Sequence, residues 1–144
     1  FHIMRKTATE NLYDGVVLDA QTVEFAETEW KCDVSQLYPN SRFTEDGTLV
    51  DEHDEPLDCK NTEVEVKVSL HDILLTDNEA DGSVGGDMVY KIFKGDHYNY
   101  TVRTDEGYDF MVDSTDNWDD NDRVGVVIDP KHIVLKFAEK EETV

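Results

Sequence analysis

The sequence predicts an all-β protein made of two small barrel or sandwich lobes. Three observations predict this class. Short runs of apolar residues alternate with polar ones along most of the chain, as in strands with one buried face. No stretch of ten or more residues keeps the 3.6-residue apolar spacing of an amphipathic helix. Gly-containing turn signals separate the alternating runs, as in barrels and sandwiches of short strands.

The predicted strands follow one another from residue 15 to residue 137. They cover residues 15–18, 22–25, 29–34, 48–50, 64–68, 88–93, 98–102, 108–112, 123–128 and 133–137. The turn signals between them are pairs or triplets that contain Gly next to Asp, Lys or a second Gly. Residues of this kind supply the positive φ angles and the local hydrogen bonds that tight turns need.

An internal repeat links the two halves of the chain. Residues 64–75 align without a gap with residues 124–135, and six of the twelve positions are apolar in both. Each copy reads as an alternating strand, a polar corner and a short strand that opens at an isoleucine, Ile73 or Ile133. The repeat predicts a duplicated arch in two related lobes. The alternative is that any two β-arches look alike over twelve residues.

These patterns divide the chain into segments. Residues 1–9 are expected to be an expression remnant or a linker, and residues 139–144 a charged tail. The other predicted segments are a first lobe at 10–76 with a long insertion at 35–58, an acidic Gly-rich linker at 77–87, and a second lobe at 88–138.

Charge limits the partners. Thirteen Lys and Arg residues stand against 34 Asp and Glu residues, a formal charge of −21 at pH 7. Such a chain repels a phosphate backbone and has no local basic stripe, so no nucleic-acid partner is expected. No apolar run approaches the ~20 residues that span a bilayer, and no signal peptide is expected.

The two cysteines, Cys32 and Cys59, are predicted to be thiols in a reducing cytoplasm, with a single disulfide as the alternative.

The motifs of common enzymes are missing. The sequence contains no nucleophile elbow, no HExxH motif, no dinucleotide-binding GxGxxG and no Walker A loop. The five histidines lie apart from one another, and paired carboxylates carry little information in so acidic a chain. The chain is therefore expected not to be an enzyme and to hold no cofactor. A small hydrolase that uses two carboxylates is the catalytic alternative, and it would need both in one apolar pocket.

One loop has part of a calcium-binding pattern. Asp77, Glu79 and Asp81 stand at positions 1, 3 and 5 of a twelve-residue loop with Gly82 at position 6, as in an EF-hand. Position 12 is Met88 instead of the bidentate Glu, and the flanks read as strands. A flexible acidic linker is therefore favoured over a metal site.

A second acidic loop is a candidate for attracting cations. Like charges placed so close together belong in a solvated loop or on a surface that meets cations. The carboxylates in question are Asp113, Asp116, Asp119 and Asp120.

The order and spacing of several motifs resemble the TOBE (transport-associated OB) domain of ABC-importer ATP-binding subunits. Residues 10–17 are similar to the strand that follows the ATPase domain in that family, and residues 64–73 to its first arch. The family's F-x-G-x-x-Y and V-G-x-x-V-x-L-x-x-D-P-x-D-I patterns match here at Phe93, Gly95, Tyr98, Gly125, Asp129, Pro130 and Ile133. Departures are Ser69 and Leu70 in the first arch, His132 in the second, and the long insertion.

The resemblance implies OB-like lobes and a regulatory role. The chain would be the C-terminal regulatory and dimerisation domain of the ATP-binding subunit of an importer of polyamines such as spermidine and putrescine. ATP and Mg²⁺ would bind to a separate ATPase domain of the same polypeptide. The other partners would be a second copy of the subunit and membrane permease subunits, at the cytoplasmic face of the plasma membrane. The alternative is a free-standing acidic β domain that binds a metal ion or a carbohydrate.

Overall fold

The computed structural model describes residues 10–119 and 122–138, and it confirms the predicted all-β class. The helical elements among these residues are short 3-10 turns, at Val34–Leu37, Leu70–Asp72, Glu79–Asp81 and Pro130–His132. The strands are β1 (Glu10–Asp19), β2 (Thr22–Phe25), β3 (Thr28–Lys31), β4 (Arg42–Phe43), β5 (Leu49–Val50), β6 (Glu63–Ser69), β7 (Ile73–Thr76), β8 (Val84–Phe93), β9 (Tyr98–Thr104), β10 (Asp109–Ser114), β11 (Arg123–Ile128) and β12 (Val134–Phe137).

Two five-stranded antiparallel sheets form the body of the fold. The first has the strand order β12-β6-β1-β2-β3, and the second has the order β7-β11-β8-β9-β10. Read in this direction, each sheet has a short edge strand, then the long strand of an arch, then a ten-residue strand that contains a bulge, then a hairpin. The two sheets therefore repeat one plan, which confirms the duplicated arch.

The two arches exchange their last strands. β6 lies in the first sheet, but the chain turns at Leu70–Asp72 and continues into the second sheet as β7. Reciprocally, β11 lies in the second sheet and its arch continues through Pro130–His132 into the first sheet as β12. Each sheet therefore takes its edge strand from the other half of the chain, so the strand exchange crosses the predicted boundary near residue 76.

The segment predicted as a linker, residues 77–87, ends inside a strand of the second sheet. Residues 77–87 contain the Glu79–Asp81 turn, and β8 already begins at Val84. Gly85 and Gly86 pair there with Gly125 and Val124 of β11. Two adjacent glycines indicated a turn in the sequence, but here they are strand residues. A Cβ atom on Gly85 would meet the Glu79 side chain, and one on Gly86 would meet the Arg103 backbone.

Gly15 and Gly86 are the clearest case of such close approach. Gly15 of β1 lies opposite Val64, and Gly86 of β8 lies opposite Val124, so the two glycines hold the same position in the repeat. A Cβ atom on Gly15 would lie 2.9 Å from the Glu24 carbonyl oxygen, and one on Gly86 would lie 2.7 Å from that of Arg103. Glycine at both positions lets the hairpin backbone cross the long strand closely.

Aromatic rings from both sheets share one core. Trp30 and Phe25 of the first sheet stack at 5.0 Å between ring centroids, and Phe110 of the second sheet lies 5.8 Å from Trp30. Tyr13 bridges the same group, 5.1 Å from Phe25 and from Phe110. Trp30, Phe25 and Phe110 are at most 2% exposed. The lobes therefore do not have separate cores, and burial of these rings holds the two sheets together.

The inserted region at 35–58 packs on the first sheet. It contains the small β4–β5 ribbon and most of the Val34–Leu37 turn. Gln36 of that turn accepts a hydrogen bond from the Leu135 N–H at 2.8 Å and donates one to the Ile133 carbonyl at 3.1 Å. The edge of β12 is thus occupied by a side-chain amide. No helix among the described residues is long and apolar enough to span a membrane.

Candidate functional site

The family-motif residues of the second arch set its backbone geometry. The Asp129 side chain accepts a hydrogen bond from the Lys131 N–H at 3.0 Å and so caps the Pro130–His132 turn. Pro130 stands in the first turn, where its fixed φ fits and no N–H is needed. Ile133 is 1% exposed and anchors the chain as it enters the first sheet. A Cβ atom on Gly125 would lie 2.6 Å from the Thr76 hydroxyl oxygen.

Of the motif residues of the β8–β9 hairpin, Phe93 and Gly95 are exposed and Tyr98 is half-buried against the core. Gly95 has φ +102° in the turn, a conformation that side chains other than glycine rarely adopt. The Phe93 ring is 61% exposed and lies 5.1 Å from the Tyr98 ring. Lys91 places its ammonium group 4.9 Å from the Tyr98 ring centroid. The hairpin therefore presents two neighbouring aromatic rings, and the Lys91 ammonium group lies over one of them.

The two arches meet at Asp72 and His132, which hold the same position in the repeat. The His132 Nδ1 atom lies 3.6 Å from the Asp72 carboxylate, and the His71 Nε2 atom lies 3.7 Å from it. The departure from the family pattern at His132 thus places an imidazole, and not a second carboxylate, against Asp72. Two facing carboxylates would repel at this joint.

Arg123 joins three segments at the start of β11. Its guanidinium group contacts Asp105 through two hydrogen bonds of 2.8 and 2.7 Å, and Glu79 through one of 2.8 Å. Asp87 lies 3.4 Å away. The carboxylates hold the pKa of Arg123 above its usual value, and Arg123 lowers the pKa of Asp105. Through Glu79 and Asp105, Arg123 fastens the predicted linker and the β9–β10 turn to the second sheet.

This ion network uses one residue of the proposed calcium loop. Glu79 binds Arg123, and the Asn78 side chain caps the Glu79–Asp81 turn by accepting from the Ala80 N–H at 3.1 Å. Within residues 10–119 and 122–138, no three His, Cys, Asp or Glu side chains are placed to hold a metal ion. Asp77, Glu79 and Asp81 are therefore not gathered into a metal site.

The described acids of the second loop, Asp113, Asp116 and Asp119, each make a separate hydrogen bond. Asp113 accepts a hydrogen bond from the Asn99 amide at 2.9 Å. The Asp116 carbonyl accepts one from the Tyr100 hydroxyl at 2.5 Å, and the Asp119 N–H donates one to the Asp122 carboxylate at 2.9 Å. Asp120 lies outside the described residues, as do the predicted segments 1–9 and 139–144.

A different acidic surface forms a groove of about 740 Å³ beside β1 and the β2–β3 turn. Its lining is about equally polar and apolar, and it includes the rings of Tyr13 and Tyr108. The Tyr13 hydroxyl donates to the Asp109 carbonyl at 2.7 Å, and burial raises the pKa of Tyr13 far above its usual value, so this phenol stays neutral. The carboxylates at the groove are Asp14, Glu24, Glu27 and Glu63. Such a groove suits a cation with an aliphatic chain better than an anion.

The sequence did not indicate the residues that make the long-range side-chain contacts. Asn11 and Gln36 make hydrogen bonds to residues about a hundred positions away, and the Tyr13 ring contacts the tilted ring of Phe110 in the other sheet. The asparagine lies in the segment that resembles the family, but nothing local marks its partner. Only the pairing of distant strands reveals these contacts.

Comparison with known proteins identifies the domain. Residues 65–135 match the family model described as TOBE domain. This segment is a TOBE domain. The match covers both arches, β8–β10 and the Arg123 network, and it confirms the resemblance read from the motifs.

Two curated relatives extend the similarity of this TOBE-containing chain. The spermidine/putrescine import ATP-binding protein PotA of Bacteroides thetaiotaomicron is 34% identical over 139 residues, which is 96% of this chain and 26% of that protein. PotA of Bacteroides fragilis is 34% identical over 133 residues, 92% of this chain and 24% of that protein. The chain spans about a quarter of the length of these relatives.

A solved structure supports the fold of the TOBE chain. The cytoplasmic molybdate-binding protein ModG, crystallised with molybdate bound, superposes with a TM-score of 0.69 and covers 93% of this chain and 100% of its own. Its sequence is 10% identical, so the likeness concerns the fold alone. It confirms the OB-like twin-lobe class.

Proposed function

We propose that this TOBE chain is the C-terminal regulatory and dimerisation domain of the ATP-binding subunit of a polyamine ABC importer. The observation that carries the proposal is the similarity over nearly the whole chain to two PotA proteins. The arches support it physically: because they exchange strands, the two lobes are tied into one rigid body, which suits a scaffold better than a catalyst. The domain is non-catalytic by itself, and ATP and Mg²⁺ bind to the ATPase domain of the same polypeptide.

The proposed setting follows from that role. The partners are the ATPase domain, a second copy of the subunit and the membrane permease, with the domain at the inner face of the plasma membrane. The free-standing alternative, a domain that binds a metal ion or a carbohydrate, has less support, because the described residues gather no metal ligands.

The test is deletion of this segment from the parent polypeptide. We expect the shortened subunit to keep nucleotide binding but to lose most uptake of labelled spermidine and putrescine in cells, because the dimer scaffold is gone. A matched control is uptake of an unrelated solute by another importer in the same cells. Unchanged spermidine uptake, or a parent gene that encodes no ATPase domain, would contradict the proposal.

We further propose that the domain senses a polyamine as an effector and binds it at the acidic groove. Spermidine carries about three ammonium groups on an aliphatic chain, and the groove offers four carboxylates around aromatic rings. Each exposed ion pair contributes little, so binding would be weak and sensitive to salt.

Calorimetric titration of spermidine into the chain should give saturable heat, and the double substitution Glu24→Gln with Glu63→Gln should reduce that heat. The pair Glu45→Gln with Glu52→Gln, on the inserted region, should leave it unchanged. Heat no larger than that of NaCl at equal ionic strength would remove the groove from the proposal.

A further inference from the structure

The strand β8 extends beyond the end of its neighbour β11. The two strands pair from Val84 to Asp87, and the next contact is the hydrogen bond that the Met88 N–H donates to the Asp122 carbonyl at 2.9 Å. β8 continues to Phe93, and in this last part it pairs with β9 alone among the described strands. We call residues 90–93 the β8 overhang. Its side away from β9 is a sheet edge.

The β8–β9 hairpin determines which backbone groups the overhang exposes. The Lys94 N–H donates to the His97 carbonyl at 2.8 Å, so this pair, next to the turn, is hydrogen-bonded. Hydrogen-bonded and non-hydrogen-bonded pairs alternate along an antiparallel ladder. The pairs that Phe93 and Lys91 form with β9 are therefore non-hydrogen-bonded, and the N–H and C=O groups of both residues point away from β9. Within residues 10–119 and 122–138, no hydrogen bond reaches these outward groups.

Three other sheet edges are protected in ways that the overhang is not. Side-chain amides bond to the edges of β12 and β10. The edge strand β3 carries Glu29 and Lys31, and charged side chains discourage pairing with a foreign strand. The overhang instead carries Tyr90, Ile92 and Phe93, which are 62%, 51% and 61% exposed. An apolar strand edge of this kind is a template for pairing.

The charges around the overhang are mostly negative. Of the cations, Lys94 lies at the turn, and Lys91 directs its ammonium group at a tyrosine ring and at Asn117. The next cation along β9, Arg103, is bound to Asp109. The carboxylates on the segments next to the overhang are those of Asp96, Asp113, Asp116, Asp119 and Asp122. A partner with positive charge is therefore favoured, the more so because the whole chain carries −21.

We propose that the β8 overhang binds an extended peptide segment of another protein as an added strand. The segment forms backbone hydrogen bonds with Lys91 and Phe93 and lays apolar side chains beside Tyr90 and Ile92. A Lys or Arg side chain at one end of the segment meets the acids beside Met88. Main-chain bonds supply affinity in this mode of recognition, and the side chains supply specificity. The inference goes beyond the proposed function, because it involves neither an ATPase domain, nor a second copy, nor a polyamine.

A peptide strand suits this surface better than a membrane or a second copy does. A bilayer would leave the outward N–H and C=O groups of Lys91 and Phe93 without partners in an apolar medium. The charge of −21 also opposes approach to anionic lipids. A second copy would bring the same acids to the contact, where like charges repel. A basic, apolar peptide satisfies the backbone groups and the charge together.

The experiment is fluorescence anisotropy of a labelled peptide titrated with the 144-residue chain at about 0.15 M salt. The probe has the sequence Lys-Val-Thr-Val-Thr-Val-Lys with blocked ends, and we expect saturable binding. A probe with Glu in place of both Lys residues should bind at least about tenfold more weakly. A probe that is methylated at every backbone nitrogen keeps its side chains and its charge but cannot donate to the edge, and it should lose binding.

One substitution tests the edge directly. Phe93→Pro removes an outward N–H and places a ring at the edge, but it leaves the bonds to β9 intact, as proline on edge strands does. It should weaken binding of the basic probe at least about tenfold. Glu29→Pro is the matched control at an outward-facing position of the edge strand β3, and it should change binding by less than about twofold. Circular dichroism checks that both variants fold.

A further measurement needs no variant. Hydrogen exchange of the wild-type chain should slow at the Lys91 and Phe93 amides when the basic probe is added, while the Glu29 amide stays unaffected. The proposal is overturned if no binding appears up to about 1 mM, a level at which even weak contacts are populated. It is also overturned if the methylated probe or Phe93→Pro binds like the reference, which would indicate attraction by charge alone.

Two other occupants of the surface have their own outcomes. Binding of the chain to vesicles of phosphatidylcholine and phosphatidylglycerol that Phe93→Pro abolishes would assign the overhang to a lipid. Self-association in sedimentation velocity that the same substitution abolishes would assign it to a second copy. Either result would overturn the proposal.

Discussion

The side-chain amide of Asn11 replaces a neighbouring strand for Met111. Its Nδ2 donates to the Met111 carbonyl at 2.8 Å, and its Oδ1 accepts from the Met111 N–H at 2.9 Å. Asn11 belongs to β1 of the first sheet, and Met111 to the edge strand β10 of the second. Because Asn11 is 6% exposed, water cannot take over these bonds freely. One side chain thus joins the two sheets and closes an edge.

Asn11→Ala should lower the free energy of unfolding by about 2–3 kcal/mol, since it removes two hydrogen bonds and leaves two half-buried backbone groups without partners. Urea unfolding followed by circular dichroism measures this. The control is Leu12→Ala on the same strand, where the side chain is 60% exposed and a change within about 0.5 kcal/mol is expected. Equal effects of the two substitutions would show that the amide does not join the sheets.

Gly86→Ala should destabilise the fold by about 1–3 kcal/mol, because its Cβ would lie 2.7 Å from the Arg103 carbonyl oxygen of the adjoining strand. Gly15→Ala should have a similar effect, since the repeat places it against the Glu24 carbonyl in the same way. Thermal unfolding by calorimetry measures both. Ser83→Ala, at an exposed site just before β8, should leave the melting temperature nearly unchanged.

Arg123→Ala should lower the melting temperature by about 3 °C, because it releases the Glu79 and Asp105 carboxylates from one cation. Arg123→Lys should recover only part of this, since an ammonium group cannot make the paired contacts to Asp105. Both differences should shrink in 1 M NaCl. If the decrease in melting temperature does not depend on salt, packing of the Arg123 side chain, and not its charge, is responsible.

The same network has a defined pH dependence. Arg123 lowers the pKa of Asp105 below the ordinary value of 3.8, so the stabilising contribution is complete above pH 3.8 and disappears as the pH falls through the lowered pKa. The difference in melting temperature between wild type and Arg123→Ala should therefore narrow below about pH 4. If the difference in melting temperature stays constant down to pH 2, the Arg123–Asp105 ion pair is not the source of that difference.

Cys32 should behave as an inert thiol. It is buried and free, and burial with the nearby Asp33 raises its pKa from 9.0 to about 12. The folded state therefore keeps the proton that the unfolded chain loses, so this contribution to stability is complete below pH 9 and is lost between pH 9 and 12. Labelling of Cys32 by a thiol reagent at pH 8 should be slow in the native chain and fast in urea. Fast native labelling would contradict the burial.

Cys32→Ala tests the linkage directly. The melting temperature of wild type should fall more steeply between pH 9 and 11 than that of the variant, because the variant has no thiol to ionise on unfolding. Tyrosine ionisation affects both proteins alike, so the difference between the two curves isolates Cys32. Parallel curves would contradict the raised pKa.

Local sequence patterns were enough to predict the fold class, most strands and the repeat. Alternation at β6 and β11 is local, and burial of every second side chain is enough to mark a strand before any pairing is known. The two arches were also visible, since each ends at an isoleucine that is at most 2% exposed, Ile73 and Ile133. The motif order pointed to the TOBE domain that the family match confirms.

The pairing of the strands and the side chains that connect them could not be predicted from local patterns. Both β7 and β12 could in principle have closed the sheet of their own half, and the choice depends on contacts between residues far apart in sequence. The Asn11 and Gln36 contacts span 100 and 99 positions, and the acidic groove takes residues from β1, the β2–β3 turn and the end of the β9–β10 turn. Local patterns record whether a side chain is buried. They do not record which distant backbone it meets, because that depends on the packing of the whole chain.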